Sequence, residues 1–202
     1  MVSSHIAARG VADTHVLAAM RDVPRHRFVP EDERAAAYED RPLPIGLSQT
    51  ISQPYVVALM TEALRLKPTD RVFELGTGSG YQAAIASRVC AHVYTVEIHP
   101  ELAEQARRVL RELHYDNVSV RTGDGFRGWP EAAPFEAMLI TAAVPTLPRG
   151  LLAQLAPGGR AILPLGEAGA LQDLVLVEKN ADGSLVIKPL VTVRFVPATG
   201  AR

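Results

Sequence analysis

Short apolar runs alternate with longer amphipathic segments after residue 70, and this alternation limits the possible folds more than any other feature of the sequence. Five of the runs have the length and the β-branched content of strands, namely Arg71–Leu75, His92–Glu97, Val118–Arg121, Phe135–Thr141 and Arg160–Leu165. The segments between them have helical spacing, as in Gly80–Arg88, Pro100–Leu113 and Pro148–Leu155. Strands that alternate with helices predict an α/β fold, with a mostly parallel sheet, right-handed crossovers and helices on both faces.

The two ends of the chain depart from this alternation. The runs Leu171–Glu178 and Leu185–Val196 are longer, and the turn sequence at residues 180–183 between them predicts a terminal antiparallel strand pair. With this pair the predicted sheet has seven strands. The first third is richer in loops, with short helices over Asp13–Val23 and Glu31–Tyr38, an ordered loop over Arg41–Ser52 and a helix over Gln53–Leu66.

Composition and charge exclude several classes of function. The chain has 202 residues, a hydrophobic fraction of 48% and a formal net charge of −1, which is typical of an ordinary globular domain without the basic surface of a nucleic-acid binder. No apolar run approaches the roughly 20 residues that a membrane span needs, and residues 1–10 lack the pattern of a signal peptide. The six histidines show no metal-ligand spacing, and the single cysteine fits a reducing compartment. We therefore expect a cytoplasmic protein without a metal site and without nucleic-acid or membrane partners.

The most specific local motif is Glu74-Leu75-Gly76-Thr77-Gly78-Ser79-Gly80-Tyr81, which lies between a predicted strand and a predicted helix. Its glycines allow a sharp turn and a close approach of the backbone to a ligand at the carboxyl edge of the sheet. The spacing G-x-G-x-G differs from the G-x-G-x-x-G that seats a pyrophosphate. An acid before the turn suits a ligand that carries a positive amino or sulfonium group.

Polar residues follow the next strands as well. Glu97 closes the second strand, where a carboxylate can accept hydrogen bonds from both hydroxyls of a ribose. Asp124 follows the third strand, where it can accept from an adenine amino group beside Gly125, and Thr141 follows the fourth strand. Each residue alone is more often structural, Glu97 as a solvated strand end and Asp124 as an Asx turn. Because successive strand ends meet at one edge of the sheet, the residues together predict a site for S-adenosylmethionine.

These motifs resemble those of class I S-adenosylmethionine-dependent methyltransferases, and two segments upstream are more specific. The run Arg41-Pro42-Leu43-Pro44-Ile45-Gly46, followed by Gln49-Thr50-Ile51-Ser52-Gln53-Pro54-Tyr55, is similar to the signature loop of the protein-L-isoaspartate (D-aspartate) O-methyltransferase family. The similarity continues in order through residues 133–135, 141–143, 158–160 and 193–197, and so covers nearly the whole chain. The resemblance implies a single Rossmann-like methyltransferase domain over residues 1–202, with residues 1–52 as lead-in and active-site flap and residues 53–202 as cofactor-binding core.

The resemblance also implies roles for individual residues. S-adenosyl-L-methionine, and its product S-adenosyl-L-homocysteine, would contact Thr50, Ile51, Glu74, Gly76, Thr77, Gly78, Ser79, Gly80, Glu97, Ile98, Asp124, Gly125 and Thr141. Ser52 would be the catalytic residue, and the substrate would contact Ile51, Ser52, Val193, Phe195 and Val196. The acceptor would be the free carboxylate of isoaspartyl, and also D-aspartyl, residues in damaged proteins and peptides, which a monomeric enzyme methylates to begin their repair.

Elementary chemistry gives Ser52 an orienting role. A carboxylate has a reference pKa of ~4, so at neutral pH it is ionised and needs no general base to attack a sulfonium methyl group. We interpret Ser52 as the N-cap of a helix that begins at Gln53, where an anion is favoured by ~0.3–1 kcal/mol, and as a hydroxyl donor to the acceptor carboxylate. The family has glycine where this chain has Ser48, and serine tolerates a positive φ poorly. The tail from Thr199 to Arg202 is also shorter than in the family.

Two alternatives remain open at this point. One is a methyltransferase of the same fold that acts on another carboxylate or on a small molecule, which Ser48 and the short tail would allow. The other is a cofactor-binding scaffold that has lost catalysis. The intact acids Glu74, Glu97 and Asp124 argue against the scaffold.

Overall fold

The computed structural model describes residues 1–200, and its centre is a seven-stranded sheet accompanied by a two-stranded hairpin. In chain order the strands are β1 Leu43–Gly46, β2 Gln49–Ile51, β3 Arg71–Leu75, β4 His92–Glu97, β5 Val118–Thr122, β6 Phe135–Ile140, β7 Leu155–Leu165, β8 Gln172–Lys179 and β9 Leu185–Val193. The α-helices are α1 Thr14–Asp22, α2 Pro54–Leu64, α3 Tyr81–Ser87, α4 Pro100–Glu112 and α5 Arg149–Leu152. Residues 201 and 202, at the end of the predicted core and tail, lie outside the described residues.

The strand order of the large sheet, β5-β4-β3-β6-β7-β8-β9, creates a switch point beside β3. Strands β3 to β7 pair in parallel, whereas β8 is antiparallel to both β7 and β9. The mostly parallel seven-stranded sheet with a terminal antiparallel pair is therefore confirmed. The chain leaves β3 towards β4 and β5 and then returns to the other side of β3 for β6, so a crevice opens at the carboxyl ends of β3 and β6.

Helices cover both faces of this sheet, as the sequence predicts. Val72, Leu139 and Ile162 belong to one apolar cluster with residues of α2 and α3. Phe73 and Met138, which point to the opposite face, belong to a second cluster that includes the buried leucines of α5. These fully buried strand residues fix the strand ends from which the site is built. No helix within residues 1–200 has the length and apolar character needed to cross a membrane.

The predicted ordered loop before α2 instead contains the β1–β2 hairpin. Leu43 pairs with Ile51, and both side chains are buried. The strands escape detection in the sequence because they are short and because Pro44 usually argues against a strand, although an edge position tolerates it. The turn between the strands places Leu47 and Ser48 at φ values of 51° and 58°, as a type I′ turn requires. The positive φ that disfavours serine is therefore present at Ser48.

Three other element boundaries differ from the predictions. The helix predicted over Pro148–Leu155 is reduced to the single turn of α5, because Leu155 already begins β7 and pairs with Phe135. The last strand ends at Val193, because beyond it the chain leaves β8. The second short helix of the lead-in is a 3₁₀ helix over Glu31–Ala36.

Candidate active site

The glycine turn between β3 and α3 is held against the residue that follows β6. Thr141 donates its backbone N–H to the carbonyl of Leu75 at 3.0 Å, and its hydroxyl donates to the carbonyl of Gly76 at 2.7 Å. A Cβ on Gly76 would lie 2.6 Å from Thr141 Oγ1, and Gly76 has a φ of 93°. The close approach and the left-handed backbone both require glycine here. The turn is therefore fixed at the carboxyl edge of the sheet, over the switch point.

Glu97, at the end of β4, holds the other side of this turn. Its Oε2 accepts a hydrogen bond from the N–H of Gly78 at 2.8 Å, and its Oε1 accepts one from the N–H of His99 at 3.0 Å. Each carboxylate oxygen can accept a second hydrogen bond. Glu97 is buried but borders the cleft described below, so its remaining lone pairs can receive a pair of neighbouring hydroxyl groups.

Glu74 lies beneath the turn and is fully buried. Its Oε2 accepts a hydrogen bond from Thr95 Oγ1 at 2.5 Å, and Thr95 Oγ1 lies 2.7 Å from Thr77 Oγ1. Its Oε1 has no partner among the residues that the structure describes. Burial raises the pKa of Glu74, the hydrogen bond from Thr95 lowers it, and the charge of Glu97 raises it again, so that the pKa is about 8. At neutral pH this carboxyl group is therefore mainly protonated, and two threonine hydroxyls connect it to the floor of the cleft.

An open cleft of about 750 Å³ lies over the turn, and we call it the glycine-loop cleft. The predicted residues that line it are Thr50, Ile51, Ser52, Gly76, Thr77, Gly78, Ser79, Glu97, Ile98, Gly125, Thr141 and Val196. Sequence reasoning missed several others that also line it, including Gln49, Tyr81, Gln82, His99 and Ala198. Tyr81 and Gln82 form the first turn of α3, directly after the glycines, and that position was the signal for them.

Three residues that the sequence predicts as cofactor contacts lie outside the lining of this cleft: Glu74, Gly80 and Asp124. Gly80 is the N-cap residue of α3, and a Cβ there would lie 3.3 Å from Leu110 of α4. Asp124 caps the 3₁₀ turn after β5 and accepts a hydrogen bond from the N–H of Phe126 at 3.0 Å. The structure gives these residues roles in shaping the turn and the sheet edge, and their contact with a cofactor stays a prediction.

A second cleft, of about 820 Å³, adjoins the first, and we call it the strand cleft. The predicted substrate residues Val193, Phe195 and Val196 line it, whereas Ile51 lines the glycine-loop cleft instead. Gln172, which is buried, accepts a hydrogen bond from the N–H of Phe195 at 2.8 Å and so fixes this segment against β8. The strand cleft therefore has one wall of extended backbone held by a buried side chain.

The two clefts meet at a shared wall. The residues that line both are Thr50, Ser52, Thr141 and Val196. A ligand in one cleft and a ligand in the other would therefore approach each other at the hydroxyl of Ser52. This is the arrangement that transfer of a small group between two bound molecules requires, because proximity and orientation supply much of the rate.

The prediction that Ser52 caps α2 is wrong. The helix begins at Pro54, and its N-cap residue Gln53 makes no capping hydrogen bond through its side chain. Asp40 takes this role from a distance, because it accepts from the N–H of Tyr55 at 3.0 Å and from Gln53 Nε2 at 2.8 Å. The hydroxyl of Ser52 makes no hydrogen bond to any residue from 1 to 200, so it can serve a ligand.

The glycine-loop cleft fits a nucleoside that carries a positive charge better than it fits a phosphate. Its described lining contains the carboxylate of Glu97 and neither lysine nor arginine. A dinucleotide site would place phosphate-binding groups at the glycine turn, whereas here the N–H of Gly78 is bonded to Glu97. The strand order, the acid at the end of β4 and the two adjoining clefts together define a methyltransferase of the Rossmann-like class.

Comparisons with known proteins identify the family. The sequence profile of Protein-L-isoaspartate(D-aspartate) O-methyltransferase matches residues 1–202. A protein-L-isoaspartate O-methyltransferase of Opitutus terrae is 54% identical over 199 residues, which cover 98% of this chain and 85% of the relative. The chain belongs to the protein-L-isoaspartate (D-aspartate) O-methyltransferase family.

Solved structures agree with this membership. A protein-L-isoaspartate O-methyltransferase structure superposes with a TM-score of 0.88 at 33% identity, covering 96% of this chain. This chain spans 63% of that longer chain. A Plasmodium falciparum structure named for the same enzyme, and solved in complex with S-adenosyl-L-homocysteine, has a TM-score of 0.80 at 25% identity and covers 96% of this chain and 94% of that one.

Proposed function

We propose that this chain transfers a methyl group from S-adenosyl-L-methionine to the free carboxylate of L-isoaspartyl residues in damaged proteins and peptides, and so begins their repair. Family membership supports the reaction. The observation that carries the placement of the site is the wall that the two clefts share at Ser52. In this proposal the cofactor occupies the glycine-loop cleft and the damaged peptide occupies the strand cleft.

Glu97 and the glycine turn would hold the cofactor. The free lone pairs of Glu97 accept the two ribose hydroxyls, while Thr77 and Ser79 border the rest of the molecule. Glu74 and Thr95 support the floor from below. When bound, S-adenosyl-L-methionine supplies an electrophilic methyl group on a positive sulfur atom, which keeps the C–S electron pair as the product forms.

Ser52 would orient the acceptor without removing a proton, because a carboxylate is already ionised at neutral pH. Its hydroxyl donates to one carboxylate oxygen and leaves the other free to form the new bond to carbon. Thr50 and Ile51, on the hairpin strand β2, cover the reacting atoms and exclude water. The neighbouring backbone nitrogen then attacks the carbonyl carbon of the methyl ester and expels methanol, which takes up the proton of the N–H. A succinimide ring forms in this way, and its hydrolysis restores some normal aspartate.

The strand cleft would bind the backbone on either side of the damaged residue. Val193, Phe195 and Val196 form its extended wall, and the hydrogen bond from Phe195 to Gln172 keeps that wall in place. A D-aspartyl residue presents its side-chain carboxylate from an α-carbon of inverted configuration, and we propose it as a second acceptor.

We further propose that one copy of the chain is sufficient for activity and that it works in the cytoplasm as a single domain. Both clefts are built from residues of one chain, which supports a monomer. Cys90 is a buried free thiol, which fits a reducing compartment. Lead-in residues such as Val16 and Phe28 share an apolar cluster with Tyr81 and Leu102 of the core, which supports one domain with a lead-in over residues 1–52.

A paired-peptide assay tests the proposed substrate. The protein is incubated with S-adenosylmethionine labelled in the methyl group and with two peptides that differ only in carrying isoaspartate or aspartate. We expect base-labile label on the isoaspartyl peptide alone, because a methyl ester hydrolyses in base. Equal labelling of both peptides would indicate another carboxyl acceptor, and cofactor binding without labelling would indicate a scaffold, so either result refutes the proposal.

The role of Ser52 is tested by Ser52→Ala. Loss of a hydrogen bond to a charged group weakens an interaction by about 1.5–3 kcal/mol, so kcat/KM should fall about 10- to 100-fold while the affinity for S-adenosylhomocysteine stays within twofold. Ser184→Ala, in the distant turn between β8 and β9, is the matched control. An unchanged rate in Ser52→Ala would remove the residue from the mechanism.

A further inference from the structure

Arg25 is a fully buried arginine that has no carboxylate partner among residues 1–200. It lies in a 3₁₀ turn over Arg25–Phe28 and is 0% exposed. Its Nε donates to the carbonyl of Ala37 at 2.8 Å, and its Nη2 donates to the carbonyl of Ser52 at 2.8 Å. Its Nη1 is buried without a partner, and no carboxylate of residues 1–200 lies within ion-pair distance of its guanidinium. A single positive charge is thus held behind the wall that the two clefts share.

The charge on Arg25 is present at neutral pH. Burial lowers the pKa of Arg25, but only to about 10. The titratable groups around it are Asp40, Tyr81 and Tyr38. Asp40 is already paired with Arg9 at 3.0 Å, and burial raises the pKa of Tyr81, so that phenol stays neutral. With two arginines and one aspartate the cluster carries a net charge of +1, by 2 − 1.

Such an arrangement is hard to explain by stability. Removing a guanidinium from water costs several kcal/mol, and the carbonyls of Ala37 and Ser52 are neutral partners that offset only part of that cost. A group that breaks the rules of stable packing is expected where function requires it. The stacking of Arg25 on Tyr81, with 4.8 Å from Cζ to the ring centroid, places it beside a residue that lines the glycine-loop cleft.

The peptide bond between Ser52 and Gln53 connects Arg25 to the acceptor position. In a trans peptide the C=O and the N–H point in opposite directions. The carbonyl of Ser52 faces Arg25, so the N–H of Gln53 faces away from it, and Gln53 and Ser52 both line the strand cleft. This N–H donates to no atom of residues 1–200. A hydrogen bond on the carbonyl side polarises the peptide and strengthens the donor on the other side.

We propose that Arg25 is a positioning residue that, through the Ser52–Gln53 peptide, makes the acceptor site selective for a negatively charged carboxylate over a neutral group of the same shape. This inference rests on the proposed function, in which the acceptor is an isoaspartyl carboxylate at Ser52. Arg25 touches neither substrate nor cofactor. It fixes the backbone of Ser52 and adds, behind the shared wall, to the positive potential of Arg9 and Arg194, which line the strand cleft itself.

The direction of the expected change in KM and kcat follows from the change in charge of the substrate during the reaction. The carboxylate is an anion when it binds, and it becomes a neutral ester as it takes up the methyl group. A positive charge nearby therefore stabilises the bound substrate more than the transition state. Removing the charge should raise KM and leave kcat unchanged or higher, whereas a purely structural loss would lower kcat.

The test compares Arg25→Met, Arg25→Lys and the control Arg27→Met. Arg27 is a nearby arginine that forms an exposed ion pair with Glu112. Each variant is titrated, in the presence of S-adenosylhomocysteine, with an isoaspartyl peptide and with the isoasparaginyl peptide that carries a neutral amide. We expect Arg25→Met to weaken the binding of the isoaspartyl peptide about tenfold and the binding of the amide peptide less than twofold. Arg25→Lys should restore most of the preference, and Arg27→Met should match the parent.

Equal weakening of both peptides by Arg25→Met would overturn the proposal, because it would show a structural role only. If Arg25→Met does not fold, the unmodified protein provides a second test. A ¹³C label on the isoaspartyl carboxylate reports the pKa of the bound group by NMR, and we expect it below that of the free peptide. An unshifted pKa would overturn the proposal. These are binding measurements, so they are distinct from the methyl-transfer assay, whose failure would refute the proposed function itself.

Discussion

Replacing Glu74 with glutamine should change how stability depends on pH. Glu74 is fully buried, and burial raises its pKa from 4.5 to about 8. Between these two values the folded chain keeps a proton on Glu74 and the unfolded chain releases it. Unfolding therefore releases a proton in this range, and a higher pH favours the unfolded state. The stabilising contribution of the bound proton is complete below pH 4.5 and is lost as the pH rises through about 8.

The size of the effect follows from the proton count. One proton released on unfolding lowers the free energy of unfolding by about 1.4 kcal/mol for each unit of pH, so at pH 7.5 the loss due to Glu74 amounts to about 4 kcal/mol. Glu74→Gln is neutral at every pH and lacks this slope. Its amide can still accept from Thr95, but its N–H₂ group replaces the unpartnered Oε1 and has no acceptor there. The absolute stability of the variant therefore combines two effects, whereas its pH slope reports Glu74 alone.

Urea unfolding of both proteins between pH 5.5 and 7.5 measures this slope. We expect the variant to gain about 1.4 kcal/mol on the parent for each pH unit. Glu101→Gln, which removes an exposed carboxyl group in the first turn of α4, is the matched control. A difference between Glu74→Gln and the parent that stays constant over this range would show that Glu74 is ionised throughout, and would refute the protonated acid beneath the glycine turn.

Three further predictions concern the turn and the two clefts. Ser48→Gly removes a serine with a left-handed backbone conformation and should stabilise the protein by about 0.5–1 kcal/mol in urea unfolding, because the strain relieved exceeds the entropy added to the unfolded chain. A loss of stability would show that the turn is unstrained. Thr141→Val deletes the hydroxyl bonded to Gly76 and should weaken S-adenosylhomocysteine binding about tenfold by calorimetry, while an unchanged affinity would show that the tether is dispensable. Gln172→Leu frees the N–H of Phe195 and should raise KM for an isoaspartyl peptide at least fivefold, with cofactor affinity within twofold; parallel losses would point to general unfolding.

Short sequence motifs predict the part of the site that residues close together in the chain form. The sequence predicts the glycine turn and Glu97 because consecutive residues form a strand end and the turn that follows it. Both line the glycine-loop cleft. Glu74 shows the limit of such reasoning. The motif predicts Glu74 as a cofactor contact, and this stays a prediction. The motif does not indicate that Glu74 lies under the turn, which follows because strand side chains alternate and Glu74 points to the same side as Val72.

Contacts between distant segments were beyond the reach of the sequence. Asp40 satisfies the start of α2 from 15 positions before Tyr55, and Arg25 reaches the carbonyl of Ser52 across 27 positions. Nothing in the local sequence marks either partner, because the packing of the lead-in on the core decides both. The mistaken N-cap at Ser52 has this cause, since a distant carboxylate replaced the local cap that helix rules predict.

A structure of the protein with S-adenosylhomocysteine and an isoaspartyl peptide tests the central claim most directly. The claim is that the methyl group passes from the glycine-loop cleft to the strand cleft at Ser52. We predict the adenosyl group in the first cleft with its ribose on Glu97, the peptide along Val193 to Val196, and an isoaspartyl oxygen about 2.5–3.0 Å from Ser52 Oγ. A peptide carboxylate bound away from the wall that the two clefts share, with the hydroxyl of Ser52 turned to solvent, would contradict it.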